Sequence, residues 1–193
     1  MSGYCQAVEI RAPQGARISP STGAGFAEGT PDKLLLGLKI GQVYRLKITE
    51  IPGHPGVEVF PTVELIDRTY PPAGMAHRFP VPVDLTIDEL VMAADGRFVT
   101  RVIYIEDPQL AIPIAEKTPS ATRWFETRAG EDPLVTADAL GRPIAILRMG
   151  GRTPDASGPD PEFDYGAAPA MVYSEPGGGE PIPAPQTTVE FAQ

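Results

Sequence analysis

Proline and glycine punctuate this chain so often that few stretches could hold a long helix: 23 prolines and 20 glycines are spread through 193 residues. Proline lacks an N–H and fixes φ, and glycine supplies the left-handed conformations of tight turns. The expected architecture is therefore one of short elements and frequent turns. Hydrophobic residues still make up 42% of the chain, enough to bury a core, and the length suits one compact domain with an appendage.

Between the breaks, several stretches alternate at the period of a half-buried strand. Ala7 to Arg11 is the first, ending at Pro13-Gln14-Gly15. Leu34 to Leu38 leads through Gly41 into Val43 to Ile48, where Tyr44, Leu46 and Ile48 form one face and Val43, Arg45 and Lys47 the other. Pro52-Gly53-His54-Pro55-Gly56 is a double turn signal, so Val43 to Ile48 and Val57 to Ile66 read as a hairpin. Pro61 cannot donate to a ladder and predicts that the second hairpin strand lies at an edge or is bulged there. Phe79 to Val83 reads as an extended edge segment, with Pro80 and Pro82 placing two missing donors on one side.

Two units have the order acid, short helix, Gly-Arg, strand. In the first, Thr86 and Glu89 form a capping box, Gly96 stops the helix, and Arg97 to Ile105 is a strand. In the second, Asp132 caps a helix that starts at Pro133, and Arg142 to Met149 follows Gly141 as a strand. An internal duplication is one reading; two independent uses of a common connection is the simpler one. Trp124-Phe125, between the units, is expected to anchor a longer connection on the core.

Charge divides the chain. Of the net −9, residues from Gly150 onward hold seven acids and one base (Arg152), a net −6, which leaves −3 for the body. This polarity repels phosphate backbones and argues against nucleic acid. The expected domains are a body at 1–149 and an acidic, Pro/Gly-rich tail at 150–193, in which Thr188-Val189-Glu190-Phe191 regains strand character. Cys5 is the single cysteine, so no disulfide can form within the chain. With only Met1-Ser2-Gly3-Tyr4 before it, Cys5 does not follow the apolar region of a lipoprotein signal. No apolar run reaches the roughly 18 residues of a membrane span.

Candidate chemistry is sparse. His54 and His77 both fall in Pro/Gly-rich loops and no Gly-x-Ser-x-Gly elbow is present, which weighs against a histidine-based hydrolase. A site holding a transition metal would need both histidines and a carboxylate such as Glu58 or Asp67. Glu58, Glu64 and Asp67 are candidates for a carboxylate pair, although Glu58 and Glu64 share the parity of a solvent face. Asp155, Asp160, Glu162 and Asp164 collect oxygen ligands suited to calcium without matching the spaced loop that binds it. Arg97 and Arg101 share a strand face, where arginines either clamp a carboxylate or cover sheet surface with their stems.

The segments Gly41 to Leu46, Val59 to Arg68, Tyr70-Pro71-Pro72, Arg78 to Pro82 and Phe98 to Tyr104 together resemble a group of uncharacterised proteins from planctomycete-type bacteria. The resemblance covers roughly Cys5 to Met149 and implies an exported or envelope setting, with no activity or ligand to transfer.

The fold expected from these features is mainly β: an antiparallel β-sandwich, Ig-like or prealbumin-like, with one or two short helices and the Pro/Gly-rich tail. The expected function is a non-enzymatic binding or structural module of the bacterial cell envelope or periplasm. A cytoplasmic location follows instead if the present N-terminus is native. The module would engage a protein partner, or itself, by strand addition at its sheet edges or through the tail, with Val189 and Phe191 as docking residues. No cofactor is implied. The alternatives are a carboxylate-dependent hydrolase, carbohydrate-active or metal-assisted, and a subunit of a larger complex.

Overall fold

The computed structural model describes residues 4–109, 126–128, 130–154 and 160–173, with the side chains of residues 164 and 165 outside that description. Trp124-Phe125, Asp155, Val189 and Phe191 lie outside the described residues. The protein is mainly β, with two sheets facing one core.

The first sheet is built on β1 (Gln6–Arg11), which pairs antiparallel with β4 (Lys33–Leu38) and parallel with β7 (Val81–Asp84). The short β10 (Met171–Val172) adds antiparallel to the other side of β4. The second sheet runs β3 (Thr30–Pro31), β2 (Arg17–Pro20), β5 (Val43–Thr49), β6 (Thr62–Leu65), β9 (Gly141–Met149), β8 (Val99–Glu106). Its pairs are all antiparallel. The parallel β1/β7 pair departs from the antiparallel expectation. Its physical basis is the long connection between the two strands, which passes through the second sheet, β4 and the second sheet again, so no hairpin fixes their relative direction.

Val8, Ile10, Leu36, Leu38 and Val83 of the first sheet meet Ile18, Tyr44, Leu46, Ile48, Leu65 and Leu147 of the second in one buried cluster. Each such side chain contributes about 1.5–3 kcal/mol by leaving water. The alternation in β5 is as expected: Tyr44, Leu46 and Ile48 are buried. The β5/β6 hairpin also forms, with an isolated Ile48–Val59 bridge preceding the β6 ladder. β6 is nevertheless interior, between β5 and β9, and not an edge. Pro61 is accommodated because it precedes the ladder, where its carbonyl still accepts from the Leu46 amide at 2.8 Å.

The helix signals are realised. In α1 (Ile87–Ala94) the Thr86 hydroxyl accepts from the Glu89 amide while the Glu89 carboxylate accepts from Thr86, completing the capping box. Gly96, at φ +78, closes the far end, with the Arg97 amide bonded to the Met92 carbonyl and the Gly96 amide to Ala93. Asp132 caps α2 (Pro133–Leu140) by accepting from the Leu134 amide. The α1 and α2 units end in β8 and β9, which pair with each other. They differ in burial, since α1 sinks Leu90 and Ala93 into the protein and α2 only Ala137.

Candidate functional site

The three acids considered for a carboxylate pair are each matched to a base. Glu58 lies 3.4 Å from Lys47 Nζ, Glu64 lies 2.7 Å from Arg148 Nη1, and Asp67 pairs with Arg142. A carboxylate engaged this way is a poor partner for a shared catalytic proton. His77 is exposed in a single 3-10 turn (Ala76–Arg78), and His54 sits in the β5–β6 loop. Beside that loop lies an open depression of about 480 Å³ lined by Glu50, Ile51, Val57 and Glu58, among others. Among the described residues, no three His, Cys, Asp or Glu side chains converge as metal ligands.

Of the four acids with calcium-type oxygens, Asp160 is engaged locally: its carboxylate accepts from the Phe163 amide at 3.0 Å and caps α3 (Pro161–Tyr165). Glu162 is exposed on that helix. Asp155 and the Asp164 side chain lie outside the described residues. Arg101, from β8, turns inward. Its Nη1 lies 3.6 Å from Glu89 Oε1, and Nη2 donates to the Asp84 carbonyl, so it joins β8, α1 and the end of β7. Burial lowers the Arg101 pKa, with Glu89 and Asp84 opposing.

Part of the stretch read as tail is built into the body. Phe163 of α3 packs edge-on against Phe60 at 4.9 Å between centroids, and Phe60 packs against Phe26. Arg45, on the outer face of β5, lies 4.2 Å over the Phe163 ring and donates to the Phe163 carbonyl. The chain then buries Ala170, whose amide donates to the Ser21 carbonyl, and reaches β4 as β10. There Met171 stands opposite Gly37, Val172 opposite Leu36, and the Tyr173 amide donates to the Leu35 carbonyl at 3.0 Å. A Cβ at Gly37 would come within 3.0 Å of the Tyr173 ring and 3.2 Å of the Met171 methyl. The missing side chain at Gly37 is what lets the segment lie on that edge.

A second polar constellation forms where β1 begins. Gln6 is wholly buried, and its Oε1 accepts from the Thr69 amide (2.8 Å), the Thr69 hydroxyl (3.0 Å) and the Tyr4 hydroxyl (3.2 Å). These bonds clamp the loop after β6 onto β1. The loop then presents Arg68, whose guanidinium lies 4.9 Å from the Tyr4 ring and 4.7 Å from the Tyr70 ring. Arg142 lies 5.4 Å from the Tyr70 ring, pairs with Asp67 and donates to the Arg68 carbonyl at 3.0 Å. The Arg68 amide, followed by Arg142, holds the Asp67 carboxyl below its ordinary pKa. Tyr70 remains 69% exposed.

The chain matches no protein-family model, no curated protein and no solved structure. Nothing local in the chain marks the Arg68 constellation beyond a loop containing Tyr70, because Tyr4 and Arg142 come from distant segments. The α3 contact did carry a signal: Asp160-Pro161 is a helix-start pair followed by one large apolar residue. Among the described residues no helix is long and apolar enough to cross a membrane.

Proposed function

We propose that the protein is a non-enzymatic binding or structural module of the bacterial cell envelope that engages a partner chain by strand addition at the β4 edge of its first sheet. The observation that carries this reading is the seat at Gly37, where a segment distant in sequence is received as an added strand. β10 stands opposite Leu36 and Gly37, and the Tyr173 amide reaches Leu35, so the segment follows only the second half of the six-residue β4. A partner strand would pair along more of that edge, from Lys33 onward, in line with β10 or in its place. Thr188 to Phe191, with Val189 and Phe191 as docking residues, is proposed to dock on a sheet edge in the same way. The envelope setting rests on the resemblance to planctomycete-type proteins. The ion pairs at Glu58, Glu64 and Asp67 favour binding over the hydrolase alternative.

A photo-crosslinking residue at Lys33, on the β4 edge, compared with one at Pro82, on the β7 edge, tests the reading in cells of the native source. The expected result is a crosslink from position 33 to a second polypeptide, recovered in the envelope fraction, with far less from position 82. Crosslinks from 33 only to the chain's own residues 171–173, or recovery in the cytosol, would overturn it.

A further inference from the structure

We propose that Arg68, with the rings of Tyr4 and Tyr70, forms a binding site for an acidic saccharide, a sugar ring bearing a single carboxylate such as a uronic acid. The first ground is the state of the guanidinium. It lies over two tyrosine rings, 4.9 and 4.7 Å from their centroids, and forms no ion pair with a carboxylate among the described residues. A cation over ring faces is attracted by their quadrupoles without using its N–H donors, so its in-plane fork stays available for a carboxylate.

The second ground is charge. Arg142 forms the ion pair with Asp67, whose charge Arg68 also feels, so two guanidiniums share one carboxylate and the cluster keeps one net positive charge. One net positive charge matches one carboxylate; a phosphate dianion would call for at least a second. The third ground is the exposed apolar surface beside that charge. Tyr70 is 69% and Tyr4 38% exposed, and a flat ring with a hydroxyl at its rim suits the C–H face and hydroxyls of a sugar better than it suits an inorganic ion. The floor is rigid: the buried Gln6 amide fixes Thr69 and the Tyr4 hydroxyl through three bonds. A preformed, half-buried cation beside the hydrogen-bonded Tyr4 loses little entropy when it binds.

The test is an NMR titration of the full chain with a trimer of galacturonic acid, alongside a neutral galactose trimer, inorganic phosphate and a short acidic peptide. Saturable shifts of the Arg68, Thr69 and Tyr70 signals are expected with the uronide, weakening at least tenfold in Arg68→Met and in Tyr70→Ala. The neutral trimer is expected to bind at least tenfold more weakly. Equal binding of phosphate or of the acidic peptide, equal binding of the neutral trimer, or an unchanged response in Arg68→Met would each overturn the assignment. Both variants alter half-exposed or exposed side chains and are checked for an unchanged fold by their remaining amide spectrum, so lost binding is separable from lost structure.

Discussion

The two edges of the first sheet are finished in opposite ways. At the β7 edge, the Leu85 amide donates inward to the Arg11 carbonyl, so the alternate positions Pro80 and Pro82 place their missing donors outward. An edge that lacks two successive outward donors is a poor template for a further strand, and prolines are a recognised device against such pairing. At the β4 edge no proline interrupts Lys33 to Leu38, glycine stands at the next-to-last position, and a segment from far along the chain is received there. One edge refuses a strand and the other accepts one. That contrast is the strongest functional statement the fold makes, and it can be broken from either side.

The largest effect is expected at the refusing edge's anchor. Arg101 ties Asp84, at the end of β7, to Glu89 of α1, and both charged side chains are mostly buried, 16% and 9% exposed. Arg101→Met would leave Glu89 buried without its cation, a loss of about 3–5 kcal/mol. Urea unfolding measures it, and the double variant with Glu89→Gln should recover part of the loss. A change below about 1 kcal/mol, the range of an exposed pair, would show that the link is not structural.

At the accepting edge, Phe163→Ala should open residues 160–173 while sparing the sheets. Removing a buried phenylalanine costs about 3 kcal/mol or more. Amide exchange at Ala170 and Tyr173, which bond to Ser21 and Leu35, should accelerate roughly a hundredfold. Exchange in β5 and β9 should stay unchanged; equal acceleration everywhere would mean that the segment is inseparable from the body and is not a detachable strand.

Much of this body was legible in the sequence and the contrast between its edges was only half so. Period-two alternation placed β5, and the Thr86/Glu89 box placed α1, because both signals are local. The parallel partner of β1 and the interior place of β6 are set by pairing between distant segments, which alternation does not encode. β10 is not legible because two residues are too few to show a period, and the acids on either side of Phe163 hide its apolar signal. The Arg68 site needs three segments brought together by register, so no single motif announces it.

A smaller effect is expected when the refusing edge is repaired. Pro80→Thr with Pro82→Thr restores two outward N–H groups and should change stability by less than about 1 kcal/mol, since neither proline supplies a ladder bond to β1. Self-association should rise with concentration in sedimentation velocity, because a donor-bearing edge can pair with its copy. A variant that stays monomeric at the highest attainable concentration would show that something besides the prolines protects β7.

The smallest effect, and the most direct report on the accepting edge, comes from Cys5. Burial raises its thiol pKa, opposed by Lys39, and Cys5 in turn adds to the raised pKa of Tyr173, which burial chiefly causes. Cys5 and the end of the added segment therefore sense each other. A thiol whose folded pKa lies above its unfolded value contributes stability that is complete below the unfolded pKa and is lost as pH rises through the folded pKa. Only the thiolate reacts with iodoacetamide, so the alkylation profile of the native protein should be displaced to higher pH than that of the urea-unfolded chain. In Phe163→Ala, where the segment comes away and water reaches Cys5, the profile should move back toward the unfolded one. If the variant and the wild type alkylate alike across the alkaline range while Tyr173 exchange differs, then the segment does not cover Cys5, and the seat on β4 is narrower than Gly37 and its neighbours imply.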